Sequence, residues 1–83
     1  MVYVVERYLP GLVRSDLLLG LSRIEGALEV DYLGSTIVLE DEACYCRFEG
    51  PSVTAVAEVN RRAGLPFDRI VPAITVKPKG EVQ

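Results

Sequence analysis

The chain has 83 residues, 49% of them hydrophobic, and its nine basic and twelve acidic side chains leave a net charge of −3. That length holds one domain and buries only about two-thirds of the surface its unfolded form exposes, so the apolar excess points to a tightly filled core or a subunit interface. Scattered basic residues on an acidic background argue against a nucleic-acid footprint, and no apolar run approaches membrane-spanning length.

Val2–Leu9, rich in Val and Tyr, predicts the first strand, closed by Pro10–Gly11. Met1–Tyr8 is apolar but too short for a secretory apolar segment and runs into Glu6 and Arg7, so the expectation is a cytoplasmic domain of bacterial type. Ser15 is placed to cap a helix over Ser15–Glu25, with Asp16 in its first turn. Leu17, Leu21, Ile24 and Leu28 form the apolar stripe, Leu18 widens it, and Gly26 ends the helix.

Ala27–Glu40 predicts a second strand with a fault. Leu28, Val30 and Tyr32 share one face, whereas Ile37 and Leu39 have the opposite parity. One extra residue must be absorbed near Leu33–Gly34–Ser35 as a bulge or break. A tight hairpin at Asp41–Glu42 leads into a third strand, Ala43–Glu49. Ser52 then caps a helix over Val53–Ala63, whose stripe is Val53, Val56, Val59 or Asn60, and Ala63. Gly64 and Pro66 supply the stop. Asp68–Val76 is the last strand, and Pro72 inside it calls for a sheet edge.

The order βαββαβ, with right-handed crossovers, gives an α+β ferredoxin-like fold. An antiparallel four-stranded sheet carries both helices on one face, with the first and third strands central. Residues 1–77 form the single domain and residues 78–83 a mobile tail.

Cys44 and Cys46 point to one face of the third strand and continue with Phe48 as an apolar stripe. Read from spacing alone they are two small core residues. A disulfide at i, i+2 would distort the strand, and C-x-C without further ligands is a weak metal signal. Tyr45, Arg47 and Glu49 then face away from the helices. Glu6 and Arg7 fall on opposite faces of the neighbouring strand, so one of them joins that group and the other needs a partner near the helix layer. Alternation does not decide between them, because Val2–Val5 is apolar on both faces.

Glu6, Arg7, Tyr45, Arg47 and Glu49 are therefore the candidate ligand-binding residues, with Arg offering a bidentate donor and Tyr an orienting group. A ladder of cross-strand pairs would gather the same residues without a ligand. The chain has no histidine, which removes the usual general base near neutral pH and the commonest transition-metal ligand. No nucleophile–base pair, zinc pattern or glycine-rich phosphate loop is present, Gly11, Gly20 and Gly26 being too scattered. No catalytic residue, metal site or cofactor is assigned.

Three segments carry a resemblance: Val4-Val5-Glu6-Arg7-Tyr8-Leu9-Pro10-Gly11, Tyr45-Cys46-Arg47-Phe48-Glu49-Gly50-Pro51, and Arg61-Arg62-Ala63-Gly64-Leu65-Pro66 with Asp68-Arg69-Ile70. In this order, and covering nearly the whole chain, they resemble a bacterial family of small nickel-binding-protein-like domains, long catalogued as a domain of unknown function. The resemblance implies a ferredoxin-like domain that pairs into a dimer, with at least one nickel-binding relative. Many relatives carry a histidine near the end of the second helix, where this chain has Val59, or Asn60 if the register slips by one. Relatives also carry Trp and His in the second strand, where Gly34 and Thr36 stand here. These departures remove the imidazoles of a nickel site.

Three functional classes follow. The first is a non-catalytic homodimer, paired through the helix-free sheet face, that binds a small polar ligand or a partner protein. The second is a divalent-metal protein using Glu6, Glu49 and the cysteines. The third, by fold analogy, is a small dimeric α/β-barrel enzyme with a cavity between two facing sheets.

Overall fold

The structure, a computed structural model, describes residues 1–10, 14–24 and 29–78, without the side chains of residues 14–16. Its elements are β1 (Val2–Tyr8), α1 (Arg14–Ile24), β2 (Asp31–Val38), β3 (Ala43–Glu49), α2 (Val53–Arg62) and β4 (Arg69–Ala73). The antiparallel sheet has the order β2-β3-β1-β4, the ferredoxin-like arrangement expected from the chain. Pro72 sits on the edge strand β4, where its missing N–H disturbs no further strand.

The parity fault in β2 is absorbed as expected. The β2–β3 register shifts between Tyr32 and Gly34, and Gly34 takes φ 138. Tyr32, Ser35 and Ile37 thereby lie opposite Phe48, Cys46 and Cys44 on the same face. The strand is shorter than Ala27–Glu40. Leu39 leaves the sheet for a four-residue loop, Leu39–Glu42, and is exposed rather than aligned with Ile37.

The core between sheet and helices contains Val5, Cys44, Cys46 and Phe48 from the strands, Leu17, Leu21 and Ile24 from α1, and Val56 and Ala63 from α2 and its cap. Leu18 does not widen the α1 stripe. It is 58% exposed, because one residue further round the helix turns its side chain about 100° off the sheet. Val53 is likewise exposed, in the first turn of α2, where the helix face has not yet reached the sheet.

Capping in α2 follows the sequence. The Ser52 hydroxyl accepts from the Ala55 N–H at 3.1 Å. At the other end the Leu65 N–H bonds the Asn60 carbonyl and the Gly64 N–H bonds the Arg61 carbonyl, a Schellman turn that needs the left-handed φ of 73 at Gly64. Helix α1 opens at Arg14, one residue ahead of expectation, so Ser15 lies inside it. The side chains of Ser15 and Asp16, and the positions Gly11, Gly26, Leu28 and 79–83, lie outside the described residues.

Candidate functional site

The helix-free face of the sheet is built from alternate residues of the two central strands. Register places Glu6 between Tyr45 on β3 and Arg69 on β4, Val4 between Arg47 and Val71, and Val2 between Glu49 and Ala73. Glu6 accepts from Arg69 Nε at 2.7 Å, and the Glu6 side chain is only 22% exposed. Asp68 ties the start of β4 to β1: its carboxylate accepts from the Tyr8 N–H at 2.6 Å, and its own N–H donates to the Glu6 carbonyl. Glu6, Tyr8, Ala43, Tyr45, Asp68 and Arg69 line an open depression of about 240 Å³ at this end. Arg7 borders it as well, although its side chain is buried on the other side of the sheet.

The five candidate residues are thus divided. Glu6 and Tyr45 meet at the depression, and Arg47 lies in the middle of the face across Gly34. Glu49 stands at the far end, paired with the Met1 amine at 2.8 Å. Four residues of strand, roughly 13 Å, separate it from the Glu6 position. Arg7 alone points into the helix layer.

Arg7 is 1% exposed. Its Nη2 donates to Asn60 Oδ1 at 2.8 Å and its Nη1 to the Pro66 carbonyl at 3.1 Å, both neutral acceptors. Asn60 is fixed for this task, since its amide Nδ2 donates to the Val56 carbonyl one turn earlier and leaves the oxygen facing Arg7. Arg7 Nε is buried without a hydrogen-bond partner. No ion pair among the described residues includes Arg7.

The cysteines adjoin this cation. Both are free and fully buried, and their sulfurs lie 3.5 Å apart. The Ser35 hydroxyl donates to Cys46 Sγ at 2.7 Å and is itself 2.6 Å from the Tyr32 hydroxyl at the sheet edge. The Cys44 hydrogen bond, supported by Ser35 and by the charge of Arg7, draws the Cys46 thiol down to about 6 against the opposing effect of burial. The same sulfur–sulfur hydrogen bond, with burial, pushes Cys44 far up. The hydrogen bond they share thus shifts the two thiols in opposite directions, Cys46 down and Cys44 up.

Spacing marked both cysteines as core but did not show their neighbours. The missed signal was Asn60, a polar residue on the buried stripe of α2, which asks for a buried polar partner elsewhere. Paired with an Arg on a strand of ambiguous parity, it identifies the inward residue as Arg7. Among the described residues no group of three or more His, Cys, Asp or Glu converges as a metal cluster. No helix among them is long and apolar enough to cross a membrane.

None of the curated proteins matches the chain. The crystal structure of SCO4226 from Streptomyces coelicolor A3(2) is similar over 93% of this chain and 100% of that one, with a TM-score of 0.80 and 21% identity, a likeness of fold. A family model described as nickel responsive protein SCO4226-like matches residues 3–73. With the ferredoxin-like sheet and that span of matched sequence together, the chain belongs to the SCO4226-like family.

Proposed function

We propose that this protein is a non-catalytic, cytoplasmic homodimeric binding domain, paired through its helix-free sheet faces around a small polar ligand. The observation that carries the reading is the composition of that face. Half-buried Val2, Val4, Val71 and Ala73 run along it, and at one end Glu6, Tyr45 and Arg69 surround an open depression. At about 240 Å³ the depression falls short of the roughly 300–1,000 Å³ usual for small-molecule sites. A second copy laid over it would supply the missing wall and cover the apolar stripe.

Nickel chemistry does not fit these residues. The chain has no imidazole, Val59 is half-buried and Asn60 is committed to Arg7, while Glu6 and Glu49 are held apart by four residues of strand. Calorimetric titration with Ni²⁺ at neutral pH is expected to show no saturable heat. Sedimentation equilibrium at micromolar concentration is expected to give a dimer, and a monomer there would end the pairing. A thermal-shift panel of small carboxylates, amines and amino acids tests the ligand. At least one compound should raise the midpoint of the wild type but not of Tyr45→Ala; a flat panel removes the ligand from the reading.

A further inference from the structure

On the other side of the sheet, within the core, lies a cluster that the dimer reading does not use. Arg7 places a permanent positive charge there, beside Cys46, with its guanidinium nitrogens on the neutral Asn60 and Pro66 oxygens and its Nε buried without an oxygen acceptor. An uncompensated buried charge is costly, so the surroundings must offer an anion. No carboxylate among the described residues forms an ion pair with Arg7. What adjoins it are two sulfurs on one strand face, 3.5 Å apart, one of them accepting from Ser35.

We propose that Cys44 and Cys46 form a two-sulfur site for a soft monovalent cation, copper(I) being the biological example, with Arg7 as its built-in counter-charge. Softness follows from the donors, since thiolates select closed-shell soft ions over nickel or magnesium. Monovalence follows from charge. Two thiolates carry −2, Arg7 carries +1, and one monovalent cation brings the buried site to zero. A divalent ion would leave a net positive charge in the core and would find only two ligands. Binding is an exchange without redox change: the cation takes the place of the thiol proton on Cys44, and of any on Cys46, and the protons pass to water.

The geometry needs a small adjustment. If each metal–sulfur bond is about as long as a zinc–thiolate bond, 2.3 Å, a linear bridge spans roughly 4.6 Å, so the sulfurs must separate by about 1 Å, within reach of side-chain rotation. The route in is the β2 edge. Half-buried Tyr32 and Ser35 lead from the surface to Cys46, beside the bulge between Tyr32 and Gly34. Such an interrupted edge strand belongs to the part of a sheet that opens locally at least cost.

The test is anaerobic competition between the reduced full-length protein and bicinchoninate for copper(I). Withdrawal of one copper(I) per chain is expected, unaffected by excess Ni²⁺, together with a higher thermal midpoint of the loaded protein, as for any ligand of the native state. Cys46→Ser should abolish the withdrawal. Arg7→Lys should keep it, whereas Arg7→Met should weaken it roughly 10–100-fold, the scale of an outer-sphere loss. X-ray absorption of the complex should show sulfur neighbours alone. Copper remaining with the chelator, a midpoint that falls on loading, unimpaired binding by folded Cys46→Ser, or wild-type affinity in Arg7→Met would each overturn the proposal. The folded Lys and Met variants keep the test decisive if the serine variant does not fold.

Discussion

Arg7 concentrates much of what is unusual in this small core, and its neighbours should respond to its charge. Asn60 accepts its one short side-chain hydrogen bond and is fully buried. Asn60→Ala leaves the guanidinium with the Pro66 carbonyl, so we expect a loss of about 2–3 kcal/mol in urea unfolding, the scale of a buried hydrogen bond to a charged group. Arg7→Met combined with Asn60→Leu should recover most of that loss, because replacing both partners by apolar groups removes the buried guanidinium that needed the acceptor. The thiols add a dependence on pH. Cys46 has a folded value near 6, below its unfolded one, so its stabilisation is complete above the unfolded thiol value and is lost as pH falls through about 6. Cys44 is shifted the other way, so its contribution is complete below the unfolded value and is lost above it. Stability from this pair should rise from pH 6 to about 8.5 and then decline. With no histidine to titrate in that window, urea midpoints of reduced wild type should rise more steeply than those of Cys46→Ser. Parallel curves would mean that Cys46 remains a thiol.

Among the elements, β2 shows what the chain made legible and what it did not. Opposite parity of Tyr32 and Ile37 required one absorbed residue, and the register shift lies between Tyr32 and Gly34. Gly34 is needed there for its backbone. Its φ of 138 is strained for any side chain, whereas the Arg47 Nη2 that an added Cβ would meet is the end of a flexible side chain that can move aside. Gly34→Ala should therefore cost about 1–3 kcal/mol by thermal unfolding, while an unchanged midpoint would mean that the strand can pair without the bulge. Strand order, the edge position of Pro72 and the caps of α2 were equally legible, since each depends on local chemistry or fixed parity. The facing of β1 was not, because Val2–Val5 is apolar on both sides and only the third dimension supplies Asn60 as the partner of Arg7. The exposed Leu18 and Leu39 were misplaced for a related reason: hydrophobicity records what a residue can bury, whereas the angle around α1 for Leu18 and the end of β2 for Leu39 decide what is covered.

At the scale of the whole molecule, the sheet separates a side whose charge is enclosed from a side whose apolar residues are half open. The proposed pairing concerns the second side alone, so it can be tested without disturbing the first. A dimer that unfolds to two chains gains stability with concentration by mass action, and a monomer does not. For a domain of this length, 1 kcal/mol moves the midpoint by about 4–8 °C, and each tenfold rise in concentration adds about 1.4 kcal/mol shared between two chains. The wild-type midpoint should then climb by about 3–6 °C per decade of protein concentration. Val4→Arg places a charge in the centre of the face, between Arg47 and Val71, and should flatten that slope. Because Val4 is already half open, the variant should retain the wild-type far-ultraviolet spectrum. Glu58→Gln, on the exposed side of α2 where it meets Arg62, should keep the wild-type slope, since one exposed ion pair contributes at most about 1 kcal/mol. A wild-type midpoint independent of concentration, or an unchanged slope in Val4→Arg, would place the contact somewhere other than this face or nowhere at all.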